Sequence, residues 1–212
     1  MSCCTPEATG RFFSKTASHH SRRFTRRGLD GPQRLIAQGL RSLGIVSRSI
    51  LEVGCGVGAL HLTLLRDGAA SATGIELSEG MLKQARHNAE AMGVASKTRY
   101  LQGDLVTQPV ASGRAEIVIL DKVLCCYAEP AALIRESCAV CDGLYAVSYP
   151  GRSIVGQCAF RPMEWFGRTF GMKFHPYYHD PDRLDNLIGS ADFGEIFSGT
   201  TPVWQVKIFR RR

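Results

Sequence analysis

The sequence predicts an α/β fold: a three-layer α/β/α sandwich around a mostly parallel seven-stranded sheet that closes with a C-terminal antiparallel hairpin. Three observations predict it. Apolar strand-length runs alternate with helical segments or connectors between residues 49 and 148, the rhythm of a parallel sheet with helices on both faces. Three glycines, Gly54, Gly56 and Gly58, stand where the first strand turns into a helix. The chain then closes on two strand-like runs, 193–198 and 203–209, joined by Gly199-Thr200-Thr201-Pro202, which reads as a hairpin adding an antiparallel strand at the sheet edge. At 212 residues and 44% hydrophobic, the chain suffices for one well-buried core and is short for two.

The elements follow in order. Residues 1–30 show no sustained helical period, only Phe12, Phe13 and Phe24 interleaved with Ser, His and Arg, so they read as a basic, aromatic arm before a domain over 31–212. Gly31-Pro32 opens a helix whose Leu35, Ile36, Leu40 and Leu43 recur near helical spacing, and Gly44 ends it. Ile50, Leu51 and Val53 suit a buried parallel strand. Beyond the glycines come a leucine-rich helix over 59–66, a strand over 72–77, and a helix N-capped by Ser78 and stopped by Gly93. A third strand over 98–102 leads directly into Gly103-Asp104, and a fourth over 115–120 is almost wholly apolar, which predicts a central position. A helix over 130–140 and a fifth strand over 144–148 complete the alternation. An insertion rich in Phe, Trp, Met and Arg then occupies about 152–179, before Asp180-Pro181 opens a helix ending near residue 191.

The formal charge of +7 is carried by the two ends. Residues 1–30 hold +4, and Lys207 with Arg210, Arg211 and Arg212 another +4, leaving −1 for the body between them. Basic tails are more often solvated than binding faces, so nucleic acid is not the expected partner. No segment approaches the ~20 apolar residues of a membrane span, and no apolar signal core follows the N-terminal charges. A soluble, cytoplasmic protein is expected, although the Arg-rich, Ser-rich and acid-poor start also has the composition of an organelle transit peptide. Eight cysteines, some in adjacent pairs, suit free thiols in a reducing compartment. Cys138-x-x-Cys141 and His175-x-x-x-His179 superficially suggest zinc. The 33 residues between them far exceed the about 12 to 15 of a finger, so no metal is expected.

In such sheets ligands sit at the carboxyl ends of the strands, where the strand order reverses. That rule gathers Gly54 to Gly58, Glu76, Asp104 and residues 121–127 around one crevice. Gly54, Gly56 and Ala59 also satisfy a dinucleotide fingerprint with Glu76 as its ribose acid. Three features favour another nucleoside. Glu52, a costly carboxylate within a strand, calls for a cation or amide such as an α-amino group. Asp104 stands where an acid could accept from an adenine amine, and the chain ends in a hairpin instead of a second nucleotide-binding half.

These residues carry a resemblance. Ile-Leu-Glu-Val-Gly-Cys-Gly-Val-Gly-Ala-Leu (50–60) resembles the first motif of class I, Rossmann-like S-adenosylmethionine-dependent methyltransferases. Gly74-Ile75-Glu76-Leu77-Ser78 resembles their acidic second-strand motif, and Gln102-Gly103-Asp104-Leu105 the adenine-contacting one. The resemblance covers about residues 45–150 and implies S-adenosyl-L-methionine as cofactor. By position, it implies that Gly54, Cys55, Gly56 and Gly58 line the methionine and ribose, and that Glu52 orients the amino-acid end. It further implies that Glu76, beside Leu77, takes the ribose hydroxyls, that Asp104 and Leu105 hold adenine, and that Asp121 closes the far wall beside the methyl group.

On the acceptor side, Asp121-Lys122-Val123-Leu124-Cys125-Cys126-Tyr127 departs from the Asn-Pro-Pro-Tyr element of amino-methylating DNA enzymes. The arm and the insertion give the chain a shape similar to small-molecule methyltransferases and, distantly, to the magnesium-protoporphyrin O-methyltransferases. A small-molecule acceptor is therefore expected. Tyr127, His175 and His179 are the candidate bases, each with a bland alternative as a packing or loop residue. Three further expectations stay open: an RNA acceptor gripped by the basic ends, a metalloid acceptor bound by Cys125-Cys126 with Cys3-Cys4, and a cofactor-binding protein without catalysis.

Overall fold

The computed structural model describes residues 6–107, 113–170 and 175–212. Cys3, Cys4 and residues 171–174 of the insertion lie outside the described residues. Seven strands form one sheet: β1 (Ser49–Val53), β2 (Ser71–Glu76), β3 (Thr98–Gln102), β4 (Ala115–Asp121), β5 (Cys141–Pro150), β6 (Phe193–Thr200) and β7 (Trp204–Arg211). Their order is β3-β2-β1-β4-β5-β7-β6, parallel through β5, so β4 is the central strand, as its apolar sequence predicts. The hairpin differs in one respect from the expectation. Its second strand, β7, inserts between β5 and β6 and pairs antiparallel with both, which leaves β6 as the edge.

Alternating side chains divide the core into two layers. On one face Ile50, Ile117, Ile119, Ala146 and Ile208 pack with α2 (Gly31–Ser42) and α3 (Ala59–Arg66). On the other, Leu51, Val118, Leu120, Tyr145 and Val147 pack with α5 (Pro130–Ala139) and α7 (Pro181–Ser190). The strand order reverses between β1 and β4, so the crevice opens where their carboxyl ends diverge.

The N-terminal segment is a correction. Residues read as an arm without helical period form α1 (Pro6–Arg27), which lies against α4 (Glu79–Ala91). Its buried face is Thr9, Gly10, Ala17, Ser21 and Phe24, a helical spacing hidden from a hydrophobic pattern because most of these residues are small or polar. A Cβ on Gly10 would stand 2.9 Å from the Leu77 carbonyl oxygen, and one on Gly80 would stand 3.0 Å from Ser14. Small residues thus let the two helices approach closely. Ser21 Oγ donates to Asn88 Oδ1 at 2.9 Å, and Asn88 Nδ2 donates to the Val57 carbonyl in the glycine turn at 2.9 Å. The insertion after β5 is likewise helical, as α6 (Ile154–Thr169), with Pro162 inside it. Among the described residues no helix is long and apolar enough to cross a membrane.

Candidate active site

The glycine turn is stitched to β2, since the Gly54 and Cys55 amides donate to the Ile75 carbonyl at 2.8 and 3.1 Å. Gly54 has φ +66°, and a Cβ there would meet Val123 Cγ2 at 2.5 Å. Gly56, at φ +53°, has open space where a Cβ would stand. Glu76 closes the turn from β2. Its Oε2 accepts from the Gly56 amide at 2.9 Å and its Oε1 from the Ser78 amide at 3.0 Å. Burial raises its pKa above the ordinary carboxylate value, against the opposing pull of the Ser78 and Gly56 amides. Each carboxylate oxygen accepts about two bonds, so one acceptor position per oxygen remains for a pair of hydroxyls.

Glu52, on β1, is 3% exposed. Its Oε2 accepts from His61 Nδ1 at 2.5 Å and from the His61 amide at 3.3 Å. His61 is fully buried in the first turn of α3, and its Nε2 lies 3.1 Å from the Tyr100 hydroxyl on β3. The partner that the buried carboxylate demands is thus supplied from within the chain.

Asp104, 4% exposed, follows β3. Its Oδ1 accepts from the Val106 amide and the Tyr127 hydroxyl, each at 2.9 Å. Leu105 beside it is buried in the core layer of α5 and α7. The Tyr127 hydroxyl is thus a hydrogen-bond donor to Asp104, and burial, then the Asp104 charge and hydrogen bond, push its phenol well above its ordinary value. Asp121, at the end of β4, accepts from Ser148 Oγ at 2.6 Å and from Gln33 Nε2 at 3.1 Å. Lys122 Nζ bridges Asp121 at 3.2 Å and Asp30 at 2.5 Å, and Asp30 with Gln33 forms the capping box of α2. Burial raises the Asp121 pKa while Lys122 pulls it down. Lys122 holds φ +59°, a left-handed conformation uncommon for a residue with a side chain.

The segment before α7 meets the loop after β4. The Tyr177 amide donates to the Cys125 carbonyl at 2.8 Å. His179 Nε2 lies 2.8 Å from the Tyr127 carbonyl, which can only accept, so this nitrogen carries the proton. Burial depresses the His179 pKa and keeps the ring neutral. His175 is 2% exposed, edge-on to Tyr177, and a Cβ on Gly167 of α6 would collide with its ring. The Cys126 thiol has a raised pKa, through its hydrogen bond with Cys125 and then burial, and Cys55 is raised by burial. Among the described residues no group of His, Cys, Asp and Glu is arranged to hold a metal ion.

The structure thus brings Gly54, Cys55, Gly56, Gly58, Glu76, Leu77, Asp104 and Asp121 to one edge of the sheet, with Tyr127 linked to Asp104 and His179 behind Tyr127. Glu52 and His61 lie below the turn. Sequence reasoning missed His61, Gln33 and Ser148, and placed Lys122 in the crevice without a role. For His61 a signal existed: it is the first polar side chain of the helix that follows the strand bearing an unpartnered acid.

Known proteins resemble this chain in sequence and fold. Residues 51–142 match the model of a methyltransferase domain. Ribosomal protein L11 methyltransferase of Escherichia coli (strain SMS-3-5 / SECEC) is 36% identical over 86 residues, 40% of this chain and 28% of that protein. The matched stretch therefore spans little more than a quarter of that relative. Magnesium protoporphyrin IX methyltransferase (ChlM) from Synechocystis PCC 6803, solved with bound S-adenosylhomocysteine, superposes with a TM-score of 0.75 at 20% identity, covering 96% of this chain and 98% of that one. The [4+2]-cyclase SpnF gives the same TM-score at 14% identity, covering 98% and 97%. Residues 51–142 thus match a methyltransferase domain, and the chain has the class I, Rossmann-like fold seen in S-adenosylmethionine-dependent methyltransferases.

Proposed function

We propose that the protein transfers a methyl group from S-adenosyl-L-methionine to a small-molecule acceptor. The observation that carries this is the fixing of Glu76 by the Gly56 and Ser78 amides, one bond on each oxygen, beside open space at Gly56. A ribose fits there: its two hydroxyls find one free acceptor position on each oxygen. Glu52 faces the amino-acid end, Asp104 and Leu105 the adenine, and Asp121 the far wall. When bound, the sulfonium supplies an already activated methyl group, so the chain has mainly to align donor and acceptor and exclude water. His179, neutral and donating from Nε2, keeps Nδ1 as an acceptor for a proton. His175, packed against α6, shapes the pocket.

The N-terminal segment 1–30 and the segment about 152–179 frame the acceptor pocket in this account, and the protein works in the cytoplasm. Fold alone does not carry the chemistry, as the cyclase with the same architecture illustrates. ChlM, named for a small-molecule substrate, matches nearly end to end, whereas the match to the L11 methyltransferase covers 28% of that protein. Incubation with methyl-labelled S-adenosylmethionine and a size-fractionated extract tests the proposal. Label is expected in the small-molecule fraction, and label confined to protein or RNA contradicts it.

One feature favours an RNA acceptor as a second reading. His19, Arg22, Arg23, Arg26 and Arg27 line a single shallow cleft on α1. Phosphate contacts weaken steeply with salt. RNA binding that is strongly salt-dependent and lost in an R22A/R26A/R27A variant supports this reading over the first.

A further inference from the structure

We infer that His61 is a positioning residue that fixes Glu52 for the amino-acid end of the cofactor. The inference rests on Glu52 meeting that end of S-adenosylmethionine. Gly58, the N-cap residue of α3, offers no side-chain cap. Glu52 reaches across from β1 to supply one, accepting the His61 amide at 3.3 Å. The same oxygen, Oε2, takes Nδ1 at 2.5 Å, and because a carboxylate only accepts, Nδ1 carries the proton. Both bonds use Oε2, which leaves Oε1 for a further partner.

The ring is itself held. Nε2 lies 3.1 Å from the Tyr100 hydroxyl on β3, whose single proton goes either to Nε2 or, 3.3 Å away, to the Ala85 carbonyl of α4. Two elements therefore bear on one carboxylate orientation: α3 through His61 and β3 through Tyr100. A carboxylate buried to 3% exposure without such bonds would turn or neutralise, and an ammonium would lose its partner. Fully buried, His61 cannot touch the ligand before Glu52 does. Its contribution passes through Glu52.

Calorimetry with two ligands tests this: S-adenosylhomocysteine, which carries the amino-acid end, and methylthioadenosine, which lacks it. His61→Gln and Glu52→Gln are each expected to weaken S-adenosylhomocysteine roughly tenfold or more and to leave methylthioadenosine unchanged. His61→Asn, whose amide falls near the Nδ1 position, is expected to restore most of the affinity. Equal weakening of both ligands by His61→Gln, or of neither, overturns the inference. A wild-type protein that binds neither ligand overturns the cofactor assignment beneath it, so the two failures are distinct. Nitrogen NMR of the wild-type protein needs no variant. The His61 Nδ1 resonance should shift with S-adenosylhomocysteine and stay put with methylthioadenosine, and identical responses to the two ligands contradict the positioning role.

Discussion

At the scale of single residues, the site is a set of carboxylates whose charge the backbone accommodates. Glu76 accepts one amide on each oxygen, and burial still raises its pKa above the ordinary 4.5. Cofactor affinity is therefore predicted to fall on acidification while the pH is still above the usual carboxylate range, since protonated Glu76 loses acceptor capacity. Titrating S-adenosylhomocysteine across acidic pH checks this, with Glu76→Gln as the reference. That variant should bind about tenfold weaker or worse at neutral pH and lose the acid limb. For Tyr127, whose hydroxyl donates to Asp104, replacement by Phe should cost about 1 kcal/mol of stability and leave turnover within a few-fold. A thousandfold loss in turnover would instead assign it the role of base. Positions such as Glu76 and Asp104 were legible in the sequence because acids directly after strands have few structural uses. Their partners were not legible: Glu52 to His61 and Asp104 to Tyr127 are contacts between elements, which no local spacing announces.

At the scale of elements, α1 ties the N-terminal segment to the glycine turn. It packs against α4 and reaches the glycine turn through Ser21, Asn88 and the Val57 carbonyl. Gly10 faces the backbone of Leu77, where nothing can yield, so Gly10→Val is predicted to cost about 1–3 kcal/mol through overpacking. Hydrogen exchange should show faster exchange along α1 with the central strands unchanged; an α1 as protected as in the wild type contradicts the close packing. This helix was the element least legible in the sequence. A buried face of Thr, Gly, Ala and Ser carries little hydrophobic signal, whereas the leucine face of α3 and the apolar run of β4 announce themselves. The hairpin was legible as a hairpin, but its insertion of β7 beside β5 depends on pairing across the sheet.

At the scale of the whole molecule, acid stability reports the seam between the β4 loop and the segment before α7. Burial holds the His179 pKa below its ordinary 6.5, so at pH values between the two the unfolded chain binds more protons than the folded one. Stability is thus fully present above about 6.5 and declines as the pH falls through the folded-state pKa. Glu76 and Asp121, with raised pKa values, act in the opposite sense, so the comparison must be with His179→Gln. Melting temperatures of that variant should depend less on pH below 6.5 than those of the wild type; parallel curves contradict the assignment. The central claim, that the glycine turn, Glu76 and Asp104 form a cradle for a nucleoside joined to an amino acid, has a more direct test. Calorimetric titration of the full chain with S-adenosylhomocysteine and, separately, with NAD is predicted to give one saturable site for the first and no heat of binding for the second. Saturable NAD binding with no response to S-adenosylhomocysteine would contradict it.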